Sequence, residues 1–211
     1  MTEFREGLKL LEKGPGFGQV TVLVGPDGGG KSFLANQLIQ SHPEAVLIKG
    51  SQPQSWPIPE KDKLRLVNLK KRYKDDNFRY YGLHSLALHK IVRELAKQGT
   101  DVIVDSEPTF KWLMWQELRG NLDKAVAALT AHEIKAVLPD SIRYIVPFAE
   151  NFDQQAELIL QRQNSKADSE KSSVDPKNLE EVKARLKASE NVILAMEKLG
   201  VSIEGKPAWL V

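Results

Sequence analysis

Apolar residues along the chain fall into two alternating patterns: short β-branched runs, and longer stretches with apolar positions at threes and fours. Such alternation predicts strands and helices in turn. Gln19-Val-Thr-Val-Leu-Val-Gly25 predicts a buried strand closed by glycine. Lys31 to Gln40 follows, with Phe33, Leu34, Leu38 and Ile39 at helical spacing. Ala45-Val-Leu-Ile48 predicts a second strand and Gly50 to Pro59 a loop rich in proline and serine. Leu64-Arg-Leu-Val-Asn-Leu69 predicts a further strand. From Asn77 to Gln98, Tyr81, Leu88, Ile91, Val92 and Leu95 mark one helical face, and Gly99 is a natural C′ residue. Asp101-Val-Ile-Val-Asp105 reads as another buried strand.

Phe110 to Leu138 predicts two helices broken near Gly120-Asn121. Ser141 to Val146 predicts a core strand stopped by Pro147, and Asp153 to Gln163 a helix. Asp175 is placed to cap a long last helix with Pro176 at its first position. Leu179, Val182, Leu186, Ile193, Met196 and Leu199 share a face of that helix, which Gly200 ends, and Val201-Ser-Ile203 predicts a final strand. Strands alternating with helices make this an α/β chain with a parallel sheet covered by helices on both faces.

Size and composition narrow the setting. The 211 residues suit a single domain spanning 1–211, and 41% hydrophobic with 27% charged residues is ordinary globular usage. No apolar run approaches the ~18 residues of a membrane span. The first residues lack the basic-then-apolar order of an export signal, so a cytoplasmic location is expected, with no membrane partner. Without cysteine there is no disulfide framework, thiolate metal site or thiol nucleophile. A net charge of +2 gives bulk electrostatics no strong pull toward nucleic acid.

Chemistry enters at Gly25-Pro-Asp-Gly-Gly-Gly30-Lys31-Ser32, a full G-x-x-x-x-G-K-[ST] P-loop between a predicted strand and a predicted helix. Gly25, Gly28, Gly29 and Gly30 let backbone N–H groups close on phosphate oxygens. The helix that follows, starting with Lys31, Ser32 and Phe33, turns its positive end toward the same anion. Lys31 reaches the β- and γ-phosphates and the Ser32 hydroxyl ligates Mg²⁺, so ATP with Mg²⁺ is the expected ligand pair. A glycine-rich turn matching by chance would not be flanked by this strand and helix.

With an acidic residue inside it, this P-loop resembles that of thymidylate kinases and their phage relatives. The order of elements from about Val20 to Gly200 is similar too, including Pro139-Asp-Ser-Ile-Arg-Tyr-Ile-Val-Pro147, a helix ending Gln161-Arg162-Gln163, and the long last helix. The resemblance implies a P-loop NTPase-type domain that transfers the γ-phosphoryl of ATP to a nucleoside 5′-monophosphate. It implies a mobile lid around 161–175, with Arg162 as its catalytic cation beside Lys166 and Lys171, and a homodimer as oligomeric form. Asp27 would contact the acceptor's sugar, although a turn aspartate bonding its own backbone fits the same position. Arg79 would bind the acceptor, with Phe78, Tyr80 and Tyr81 available to stack on its base or simply to pack. Asp105, at the carboxyl end of a strand, would manage Mg²⁺ or orient the acceptor.

Two departures stand out. Asp105-Ser106-Glu107 replaces the family's aspartate-arginine-aromatic run, trading a cation for a carboxylate. Ile48-Lys49-Gly50-Ser51-Gln52-Pro53 replaces an arginine-glutamate-proline run, leaving Lys49 as a phosphate contact without arginine's bidentate fork.

Other readings rest on fewer residues. A nucleotide-binding module with lost or different activity would keep the P-loop alone. A polynucleotide 5′-kinase would use the basic run Lys70-Lys-Arg-Tyr-Lys74, but Asp75-Asp76 follow directly and nucleic acid is not the favoured partner. His42, His84, His89 and His132 lack metal-ligand spacing, and no nucleophile-elbow pattern occurs.

Overall fold

Short β-branched runs become the strands of a sheet wherever both faces are covered. In the computed structural model, which describes residues 16–73, 77–131, 142–145, 149, 151–165, 176–206 and 209, five such strands form. They are β1 (Val20–Leu23), β2 (Val46–Lys49), β3 (Val102–Asp105), β4 (Ile142–Ile145) and β5 (Ile203–Glu204). All are parallel, in the order β2-β3-β1-β4-β5. Leu23 pairs in register with both Asp105 and Ile145, and Asp105 with Lys49. One row across the carboxyl edge therefore holds Lys49, Asp105 and Leu23, two residues before the P-loop. In such open sheets this edge, where the strand order reverses, is where ligands bind.

Seven α-helices lie among the described residues: α1 (Lys31–Ser41), α2 (Glu60–Arg72), α3 (Asn77–Lys97), α4 (Pro108–Glu117), α5 (Leu122–Ala131), α6 (Phe152–Asn164) and α7 (Leu179–Lys198). Alternate strand residues feed opposite faces. Val20, Val22, Val102 and Val104 join Leu88, Val92, Phe110, Leu113, Ile193 and Met196 of α3, α4 and α7 in the main core. Leu23 and Ile103 face the other way, against Ala35, Leu34, Leu38 and Ile39 of α1. A fully buried aliphatic side chain contributes ~1.5–3 kcal/mol; Leu23, Ile48, Leu88 and Ile193 are at that limit. The expected sheet with helices on both faces is present, with α1 on one face and α3, α4 and α7 on the other.

Three local expectations are corrected. Leu64 to Leu69 is not a strand but the middle of α2. Glu60 and Asp62 sit in its first turn, complementing the positive helix end. Leu66 and Leu69 pack on the core at i,i+3, while Leu64 stays 57% exposed. The cap of α7 is Asn178, not Asp175, which lies outside the described residues; Pro176 precedes the helix. Asn178 accepts from the Glu181 N–H at 2.9 Å, and the Glu181 carboxylate accepts from the Lys177 N–H at 2.9 Å, a capping box one residue wider. The last strand begins at Ile203 because Val201 closes α7: its N–H donates to Met196 O while Gly200 N–H donates to Glu197 O. Gly99 ends α3 in the same manner, as expected.

Candidate functional site

The P-loop turns sharply because its glycines adopt conformations that side chains resist. Gly25, Gly28 and Gly30 have φ of 136°, 83° and 93°. Gly30 then opens α1, accepting the Leu34 N–H at 3.0 Å. Lys31, buried at the first position of α1, folds back over the loop and donates to Gly25 O at 2.9 Å and Pro26 O at 2.6 Å. Burial holds its ammonium below the usual lysine range, opposed by Asp27 and Asp105.

Ser32, next on α1, donates its hydroxyl to Asp105 Oδ2 at 2.7 Å. Asp105 Oδ1 accepts from Ser106 Oγ at 3.2 Å, and Ser106 itself is held at φ 71°, a left-handed conformation uncommon for serine. That turn is locked from the neighbouring strand: Gly50 N–H donates to Asp105 O at 2.8 Å, and a β-carbon on Gly50 would stand 2.0 Å from Ser106 O. A hydroxyl beside a carboxylate is an all-oxygen donor set. It fits Mg²⁺ that keeps several waters and binds phosphate oxygens as well.

Two cations reach the loop from distant helices. Lys111 of α4 pairs with Asp27 at 3.1 Å. Burial would raise the Asp27 carboxyl, but Lys111 and Lys31 outweigh it and hold it below its usual value. Arg162, in the last turn of α6, donates to Gly28 O at 3.3 Å. Helix α6 lies close there, since a β-carbon on Gly28 would meet Ile159 at 3.1 Å.

Glu107 is not a bare anion at the phosphates. Its Oε2 caps α4 by accepting the Phe110 N–H at 2.7 Å. Its Oε1 accepts from Ser85 Oγ at 2.9 Å and stands 3.4 Å from His89 Nε2. Burial would raise this carboxyl, but His89 and the Phe110 and Thr109 amides hold it lowered, so it stays ionised. This network pins α3 to α4 and so fixes Lys111.

His84, five residues before His89 on α3, is buried between Trp56, with ring centres 5.0 Å apart, and Tyr80, whose hydroxyl is 3.1 Å from Nδ1. Burial pushes its pKa down to about 4, against weaker opposing effects of the Gly50 backbone and Glu107. Between the unfolded value of 6.5 and about 4 the unfolded chain takes up a proton that the folded chain refuses. Stability is thus lost as pH falls through that window, by roughly 3 kcal/mol at ~1.4 kcal/mol per unit. Thermal melts at pH 7.5 and 5 should show the wild type losing more stability than His84→Phe; equal losses would refute the assignment.

The site thus gathers Gly25, Asp27, Gly28, Gly29, Gly30, Lys31, Ser32, Asp105 and Arg162. Lys49 lies on the same edge, exposed, its carbonyl accepting from Trp56 Nε1 at 2.8 Å. Phe33 is 60% exposed on α1. Phe78 and Arg79 fall at the start of α3, but their side chains lie outside what is described, as do Lys166, Lys171 and the rest of the expected lid beyond Ser165. Lys111 was missed, Glu107 was read only as a carboxylate gained beside Asp105, and His89 was weighed only as a metal ligand. Glu107-Pro108 was legible as an N-cap with proline at N1, which would have set Lys111 one turn in.

No helix among the described residues is long and apolar enough to cross a membrane. No curated protein matches the sequence. Among solved structures, deoxyadenosine kinase from M. mycoides with bound dATP aligns with a TM-score of 0.49 and 12% identity over 92% of each chain. The profile described as AAA domain matches residues 20–189, from the strand before the P-loop to within the last helix. A P-loop built from these residues and a match over most of the sequence agree: the chain belongs to the AAA domain family, a P-loop family that binds nucleoside triphosphates.

Proposed function

We propose that this chain transfers the γ-phosphoryl group of Mg·ATP to a (deoxy)nucleoside 5′-monophosphate, in the manner of thymidylate kinases. The observation that carries the reading is Arg162, which reaches Gly28 O from a helix far along the chain. A module that only binds nucleotide needs the loop; transfer needs an additional cation where charge develops.

Each residue then has a task. The Gly25 to Gly30 backbone and the start of α1 hold the phosphates, and Lys31 leaves its two carbonyls to neutralise β- and γ-oxygens. Ser32 and Asp105 would hold Mg²⁺, which when bound draws charge from the phosphate oxygens. Arg162 stabilises the γ-phosphoryl as it moves in line to the acceptor's phosphate oxygen. Glu107, committed to α4 and His89, keeps its charge compensated within the protein and so does not oppose transfer as its place in the sequence suggests. Lys49, Phe78 and Arg79 would contact the acceptor, and Phe33 the triphosphate.

The test is ADP release from Mg·ATP with each nucleoside and deoxynucleoside 5′-monophosphate offered in turn. One acceptor should stimulate release strongly and thereby name the substrate. Arg162→Ala should lower that turnover by roughly a hundredfold or more with little change in ATP affinity. Measurable ATP binding with no stimulation by any acceptor would refute the reading and favour a binding module or a polynucleotide 5′ end as substrate.

A further inference from the structure

The Asp27–Lys111 pair is the part of the site that the tasks above leave unused. Lys111 sits on the first turn of α4, directly after the strained turn that carries Asp105. Its Nζ is 3.1 Å from Asp27 Oδ2, inside the phosphate-binding loop, and both side chains line one hollow with Gly25, Lys31 and Ser106. An ammonium has three donors, and the Asp27 contact engages one. The side chain is 35% exposed, so its remaining donors are not sealed in the core.

A purely architectural role explains this poorly. Half-exposed ion pairs add little stability, and α4 is already fixed by Glu107 and by its apolar face on the core. The pair makes better sense as charge management. A carboxylate within an anion-binding loop repels the anion, and a lysine beside it cancels that repulsion while offering further donors. A phosphoryl group entering the hollow brings more negative charge than one carboxylate does. The ammonium would then bridge Asp27 and a phosphoryl oxygen.

We infer that Lys111 is a substrate-contacting cation for a phosphoryl group, with Asp27 as its counter-ion until that group enters. The inference rests on the phosphoryl-transfer reading of this site, and the phosphoryl group is either the terminal one of ATP or that of the acceptor. The choice is open to measurement with the full chain, using wild type, Lys111→Ala, Lys111→Arg and Asp27→Asn.

Mg·ATP affinity is measured first, without acceptor; acceptor KM and kcat follow. Lys111→Ala should weaken either ATP binding or acceptor KM by about tenfold or more, the loss expected for a charge-assisted hydrogen bond. A change in ATP affinity assigns Lys111 to the triphosphate, and a change confined to acceptor KM assigns it to the acceptor. In both cases the melting temperature should hold, Lys111→Arg should restore part of the loss, and Asp27→Asn should leave ATP binding unchanged or tighter. The inference is overturned if Lys111→Ala changes neither quantity by more than about twofold, or if Asp27→Asn and Lys111→Ala lose binding and thermal stability alike. Wild-type protein that binds ATP but phosphorylates no acceptor would refute the transfer reading, while the ATP-affinity comparison would still decide whether Lys111 contacts phosphate.

Discussion

Lys31→Ala is expected to weaken Mg·ATP binding by roughly two orders of magnitude and to remove measurable turnover. The reasoning starts from burial. Lys31 is 7% exposed and its ammonium is held by two carbonyls of the loop it would serve. That arrangement keeps a cation, partly compensated by Asp27 and Asp105, directly under the phosphate cradle. Alanine removes the charge but leaves the glycine conformations that shape the cradle, so the loss should fall on affinity rather than on folding. Calorimetric titration with Mg·ATP, beside a thermal melt, separates the two. A variant that melts like wild type and binds ATP within about threefold of it would show that the cradle works without Lys31.

Asp105→Asn should lower turnover by roughly a hundredfold while leaving nucleotide affinity less affected. Asparagine keeps the size and can still accept the Ser32 hydroxyl, now 2.7 Å from Asp105 Oδ2. What it loses is the negative charge that a hard cation requires of its oxygen donors. The Mg²⁺ concentration giving half-maximal ADP release should therefore rise. The substitution would also take away a counter-charge of Lys31, drawing that ammonium further down. Measuring ADP release against Mg²⁺ in both proteins decides it. An unchanged Mg²⁺ requirement with reduced rate would move Asp105 from metal handling to acceptor positioning.

The sheet and the P-loop were legible because their physics is local. A parallel strand buried on both faces must be a continuous apolar run, and positive φ at Gly28 and Gly30 demands glycine in the loop itself. Helix α2 misled because Leu64-Arg-Leu-Val-Asn-Leu69 shows a short alternation, whereas burial of Leu66 and Leu69 against the main core decides the outcome. The cap of α7 misled for a similar reason: Asp175-Pro176 and Asn178 both carry starting signals, and the reciprocal Asn178–Glu181 bonds favour the second. Lys111 and Glu107 needed three dimensions. Nothing in the chain order says that Lys111 meets Asp27 or that His89 and Ser85 meet Glu107, since the first contact arises where α4 meets the P-loop and the others where α3 and α4 pack. No arginine follows Asp105, but Lys111 reaches the P-loop from the first turn of α4.

The central claim is that phosphorus moves from ATP to a nucleotide acceptor at this P-loop. It is tested most directly by following ³¹P resonances during Mg·ATP consumption in the presence of the stimulating monophosphate. The expected result is loss of the γ-resonance matched by new β-resonances of two diphosphates, ADP and the phosphorylated acceptor, absent with Lys31→Ala. Appearance of the γ-phosphorus as inorganic phosphate alone would contradict it.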